Sequence, residues 1–323
     1  MSNNNYAFAV AQVRAYENRL LGRSLYEQIL TAPGEKEVFE ILSSKGWEIP
    51  ENCSGGEELL AHEQQGVWEH LSGLAGNDPE MKVFTVKNDY HNLKTAIKSF
   101  FGNIESDKDF MYPTSVDTET VVTAVKEKKY DLLPAGMQEA AEEAYNALVA
   151  SNDGQTADII IDRYTLEELL KLGKSTKSDM VRKYCELTVE CSDIKTALRG
   201  AATGKNDEFF EKGLCGTDAL DKRSLTRAAR KGVEEVLGFL SGVGYADAAA
   251  ALRVSVSEFE KWYDNAVFSI LNDANFISFG IEPLIAYGFK RENEFKNIRI
   301  ALTCKNMGAD ISVTEERMRI SDV

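Results

Sequence analysis

Asp89-Tyr90-His91-Asn92-Leu93-Lys94-Thr95-Ala96-Ile97 is a stretch this chain repeats. It returns as Glu190-Cys191-Ser192-Asp193-Ile194-Lys195-Thr196-Ala197-Leu198 and as Glu294-Phe295-Lys296-Asn297-Ile298-Arg299-Ile300-Ala301-Leu302. Six positions keep their chemistry: an acid, Asn or Asp, Leu or Ile, a base, Ala, then Ile or Leu. The copies begin 101 and 104 residues apart. Near-regular recurrence on this scale marks a chain built by repeating a structural unit, here close to the size of a small domain. Three similar domains are the first expectation.

Each copy has helical spacing. Tyr90, Leu93, Ile97 and Phe100 fall at i, i+3, i+7 and i+10; Cys191, Ile194 and Leu198 repeat that face, as do Phe295, Ile298 and Leu302. Ala96, Ala197 and Ala301 lie beside the stripe, where a small side chain lets helices approach closely. The acid (Asp89, Glu190, Glu294) and the amide or acid three residues on (Asn92, Asp193, Asn297) are helix-surface neighbours. Lys94, Lys195 and Arg299 fill the basic position. Taken singly, each residue reads as packing plus local polar contact, a reading that leaves the threefold recurrence unexplained.

The rest of the chain is also helical in pattern. The six prolines fall where periodic segments start or stop, and none lies between Ala135 and Glu282. An interior helix proline costs about 3 kcal/mol, so this span suits consecutive helices. Leu225, Ala229, Val233, Val236 and Leu240 form an apolar stripe along one expected helix. Ser312 and Glu315 suggest a capping box before a last short helix. The clearest strand-like run, Asp158-Ile159-Ile160-Ile161-Asp162, is too short to carry a sheet. The fold class is therefore all-α. Gly- and Pro-bearing breaks at 102–117 and 200–225 place domains at 1–110, 111–215 and 216–323, with the repeated helix near the end of each.

The 323 residues carry 52 acidic and 37 basic side chains, a formal net charge of −15. That balance argues against nucleic-acid binding, which depends on clustered cations. Five scattered cysteines without a C-x-x-C offer neither a zinc site nor a redox pair, and reduced, mostly buried thiols are expected. The polar start, Met1-Ser2-Asn3-Asn4-Asn5, lacks a signal-peptide layout, and no apolar run is long enough to span a bilayer. A soluble protein is expected.

Catalytic motifs fail on inspection. Gly173-Lys174-Ser175 has the tail of a phosphate-binding loop, but Glu168 occupies the first glycine position. Gly242-Val243-Gly244 is followed by Asp247 where a dinucleotide loop needs glycine. Helical carboxylate metal centres use Glu-x-x-His pairs, whereas Leu59, Val67 and Asn88 precede His62, His70 and His91. No G-x-S-x-G elbow occurs. No catalytic residue, metal site or cofactor is expected. One local reversal of charge stands out: Lys222, Arg223, Arg227, Arg230 and Lys231 lie within ten residues free of acid. Four of them share a face opposite the apolar stripe, either as a solvated helix face or as a docking surface for an acidic partner or anionic headgroups.

The three-copy signature resembles the C-subunit family of V-type and A-type rotary ATPases, whose eukaryotic counterpart is named d. The likeness extends to the opening Tyr6-Ala7-Phe8-Ala9-Val10-Ala11-Gln12-Val13-Arg14-Ala15, with Glu17 and Leu20-Leu21. It also covers the closing Pro283-Leu284-Ile285-Ala286-Tyr287, continuing through Glu292, Glu294, Asn297, Ile298 and Arg299. Departures are mild: Asp193 stands where the other copies have Asn, and Arg299 where they have Lys. The resemblance implies three helical-bundle domains about a pseudo-threefold axis, forming a funnel. It implies a non-catalytic part of the rotor, cytoplasmic and peripheral to the membrane, between the axle (the D and F proteins of the complex) and the ion-carrying proteolipid ring. A stand-alone helical scaffold is the alternative.

Overall fold

The computed structural model describes residues 6–102, 109–151 and 154–319. Among them the chain is all-α, with no strand. The first helices are α1 (Ala7–Glu17), α2 (Arg23–Thr31), α3 (Glu35–Ser44), α4 (Gly56–Ala75) and α5 (Lys82–Gly102). The middle of the chain forms α6 (Thr118–Glu127), α7 (Ala135–Ser151), α8 (Gly154–Ser175), α9 (Asp179–Ala202) and α10 (Asp207–Gly213). Then come α11 (Lys222–Lys231), α12 (Val233–Gly242), α13 (Ala246–Val254), α14 (Val256–Asn272), α15 (Glu282–Asn306) and α16 (Ile311–Arg317).

The chain divides into two compact units, 1–81 with 271–323, and 82–270. In the first, α15 is the central element, burying 14 of its 25 residues. Phe295, Ile298, Ala301 and Leu302 join Tyr26, Ile29, Val38, Leu42, Leu59 and Leu60 in one core. The close approach of α4 to α15 needs Gly56, because a Cβ there would run into Leu302. In the second unit α5 packs on α6, α7 and α8, and α9 packs on α8, α10, α11 and α12. Cys191, Ile194 and Ala197 share a core with Phe210, Leu225, Val236, Leu240 and Phe259. Completely burying a Leu or Ile contributes roughly 1.5–3 kcal/mol, and Leu93, Ile194 and Ile298 are fully inaccessible. The stripe read from the sequence is therefore the packing face, although Phe100 at its end is 40% exposed.

Three local expectations are corrected. The apolar stripe from Leu225 to Leu240 belongs to two helices, not one: Gly232, at φ +125°, breaks the chain between α11 and α12. That backbone conformation is open to glycine and strained for other residues. The strand-like run 158–162 lies inside α8, where Ile159, Ile160 and Ile161 are all buried. The last helix is capped at Asp310, with no side-chain capping bond, so the Ser312 capping box does not form. Prolines behave as the spacing implies; Pro283, for example, opens α15.

Candidate functional site

The recurring residues sit on α5, α9 and α15, and their polar members are buried. Asn92, Asp193 and Asn297 are fully inaccessible, and Asp89, Glu190 and Glu294 nearly so. Buried polar groups need partners, and these find theirs in distant backbone. Asn92 accepts from the Met111 N–H at 2.7 Å and donates to the Met111 carbonyl at 2.9 Å. Asn297 does the same to Arg319, at 2.7 and 2.9 Å. Asp193 accepts from the N–H groups of Cys215 at 3.0 Å and Gly216 at 2.7 Å.

The acid of each copy adds a second hold. Asp89 accepts from the Ser115 N–H at 2.8 Å, the Ser115 hydroxyl at 2.5 Å and the Val116 N–H at 3.2 Å. Glu190 accepts from the Thr217 hydroxyl at 2.7 Å and from the Tyr245 hydroxyl. Glu294 accepts from the Leu21 N–H and from Arg291 at 2.6 Å. The expected local polar contacts are thus a minor part, as in Glu294 with Arg291 on α15 itself, and most of the bonds reach beyond the helix. Each copy is a clamp that fixes an irregular segment by its backbone, supplying the hydrogen bonds which that segment cannot make to itself.

The clamped segments share a role. Ser115 and Val116 precede Asp117, the N-cap of α6; Thr217 leads to Asp221, the N-cap of α11; Leu21 precedes Gly22, the N-cap of α2. The first two signature helices hold the chain that follows them; the third holds Arg319, which follows it, through Asn297 and the segment at Leu21 through Glu294. The acid of each copy thus links α5 to the segment before α6, α9 to that before α11 and α15 to that before α2.

Asp193 is more than a mild departure from asparagine. In copies one and three the amide meets both the N–H and the C=O of one residue, whereas in copy two the partners are two N–H groups. Gly216, at φ +81° and with no room for a Cβ against Lys222, presents the second of them. An asparagine would set its own NH₂ against one N–H. Burial pushes the Asp193 carboxyl up to about 6, against the pull of the two N–H groups. It raises Asp89 as well, opposed by Ser115 and Val116.

The remaining signature positions divide. Ala96, Ala197 and Ala301 are buried at helix contacts. Lys94 pairs with Asp162 of α8, and Arg299 with Glu57 of α4 at 3.0 Å, while Lys195 is exposed. Lys94 and Lys195 line one cavity of about 330 Å³ with Lys87, His91, Asp162 and Glu260.

On α11, Leu225, Ala228 and Ala229 face the core. Lys222 reaches Glu211, Arg230 pairs with Asp207 at 2.9 Å, and Lys231 lies 3.9 Å from Glu235. Arg223 and Arg227 extend from the same helix without an ion pair among the described residues. Among the described residues no group of three or more His, Cys, Asp or Glu side chains is arranged to hold a metal. No helix among them is long and apolar enough to cross a membrane. Cys185, Cys191 and Cys304 are buried free thiols, and Cys53 and Cys215 are half-buried ones.

This is an all-helical chain whose thrice-repeated helix clamps the backbone of distant segments. It belongs to the ATP synthase (C/AC39) subunit family, which it matches over residues 9–317. It is 22% identical over 315 residues to the C subunit of the V-type sodium ATPase of Enterococcus hirae, covering 95% of this chain and 96% of that one. Identity to the A-type ATP synthase C subunit of Methanocaldococcus jannaschii is 24% over 335 residues, covering 93% and 82%. That of Halorubrum lacusprofundi is 22% identical over 353 residues, covering 99% of both chains.

Proposed function

We propose that this chain is the non-catalytic central-stalk rotor adaptor of a V/A-type ATPase or ATP synthase. It couples the axle, built of the D and F proteins, to the membrane proteolipid ring and carries torque between ATP chemistry and ion movement. The observation that carries the reading is family membership along almost the whole chain, joined to a threefold repeat whose last copy reaches the segment at Leu21. Recurrence of that kind supports three related domains, near 1–110, 111–215 and 216–323, about a pseudo-threefold axis. An adaptor under torque needs its segments fixed to one another. Buried backbone clamps resist shear better than surface ion pairs, which are worth about 0–1 kcal/mol each. Arg223 and Arg227 would face an acidic partner or the headgroups beside the ring, on the cytoplasmic side.

The test is an affinity pull-down of the tagged chain from gently solubilised membranes of its host, read by mass spectrometry. Co-recovery of catalytic, axle and ring proteins is expected. Recovery of the chain alone, from the soluble fraction, would replace the rotor reading with a stand-alone helical scaffold.

A further inference from the structure

The segment 273–281, between α14 and α15, holds two phenylalanines in water. Phe276 is 91% exposed, more than any other large apolar side chain among the described residues, and Phe279 is 57% exposed. Yet the segment is tied down on both sides of them. Ala274 is fully buried, and its carbonyl accepts from Arg14 at 2.7 Å and from the Ile277 N–H at 3.1 Å. Ile281 is buried at the far end. Arg14 is itself fixed by Glu17 at 2.8 Å, and Glu17 also takes Lys290 at 3.2 Å. A tethered stretch that keeps both rings out of the adjoining core presents them. Apolar side chains exposed together mark contact sites, and aromatic anchors carry much of the energy where proteins meet.

The charge around the segment narrows the partner. Asp273 opens it and Glu282 directly follows it, at the start of α15. Two further acids gather there. Tyr6, the N-cap of α1, donates to Asp78. Burial, that bond and the carboxylates of Asp78, Glu80 and Glu282 all push its phenol up. The cations at the base of the segment, Arg14 and Lys290, turn to Glu17 and are mostly covered. Aromatic rings in an acidic surround suit apolar side chains flanked by Lys or Arg. A lipid surface is the poorer fit, because the anionic headgroups of a cytoplasmic leaflet repel carboxylates. Cytoplasmic loops of membrane proteins have the matching make-up, an excess of Lys and Arg beside the apolar ends of their helices.

We propose that Phe276 and Phe279 dock on a basic cytoplasmic loop of the membrane ring. Resting on the rotor reading, this gives the ring a contact surface on the unit formed by 1–81 and 271–323. The two rings meet the apolar ends of the ring helices, while Asp273 and Glu282 face the cations of the loop.

The test uses the complex assembled in host membranes. A photo-crosslinking phenylalanine derivative is placed at Phe276 of the tagged chain, and the gently solubilised complex is irradiated and read by mass spectrometry. The expected crosslink is to the Lys- or Arg-bearing loop of a ring protein. Phe276→Ser with Phe279→Ser should lower the ring protein recovered with the chain about tenfold, the effect of losing aromatic anchors. Recovery of axle and catalytic proteins should be unchanged, as should the melting temperature of the isolated chain, because neither phenylalanine is in a core. A crosslink to lipid, to an acidic segment or to an axle protein overturns the proposal and leaves the rotor reading standing. So does the absence of any crosslink in the recovered complex, or undiminished recovery of the ring with the double variant. If the unaltered chain recovers neither ring nor axle proteins, the proposal and the rotor reading fall together.

Discussion

At the residue scale, the decisive side chains are the buried amides and acids of the repeat. Asn92 completes both the donor and the acceptor of Met111. Asn92→Ala should therefore cost about 1–3 kcal/mol, the penalty for stranding such groups. Lys195→Ala, at an exposed position of the same motif, should change stability by no more than about 0.5 kcal/mol. Denaturant midpoints of the two variants check the contrast. Asp193 gives a pH signature. Its folded carboxyl, at about 6, lies above its ordinary 3.8, so the folded state binds its proton more tightly than the unfolded one. Its contribution to stability is full below about pH 4 and is lost as pH rises through about 6, a change of roughly 3 kcal/mol. Asp193→Asn should remove that step from a plot of unfolding free energy between about pH 4 and 7. An unchanged step would assign the pH dependence to other groups. The identity of these residues was legible in the sequence, but their partners were not. Met111, Cys215 and Arg319 are held by their backbone, and backbone contacts leave no side-chain pattern to read.

At the element scale, the helices were legible because their periodicity is strong and because prolines and glycines punctuate them. Departures arise from local chemistry that periodicity does not report. Gly232 breaks an apolar stripe that continues in register across α11 and α12. The isoleucine run in α8 is a buried helix face, not a strand, and short apolar runs do not distinguish the two. On α11 the basic face resolves into three cations tied to nearby acids and two arginines that are not. The docking proposal narrows accordingly. Arg223→Glu with Arg227→Glu should weaken assembly into the membrane complex, read by co-purification, while leaving the melting temperature of the isolated chain within about two degrees. Full assembly of the double variant would return this face to an ordinary solvated surface.

At the scale of the whole molecule, the recurrence marks three helices, and the structure adds which segment each of them holds. Residues 1–81 and 271–323 form one compact unit, in which α15 shares a core with α2, α3 and α4 and reaches the segment before α2 through Glu294 and Leu21. No pairing rule links those two positions, 273 residues apart, in the sequence. Clamps of this kind should hold irregular backbone as firmly as a helix holds its own. Hydrogen–deuterium exchange of the isolated full chain reads this at the N–H groups of Leu21, Met111, Ser115, Cys215, Gly216 and Arg319. All six lie outside helices, and they should exchange as slowly as the amides of α5, α9 and α15. Exchange at the rate of open loops would mean that the repeated residues serve helix packing alone.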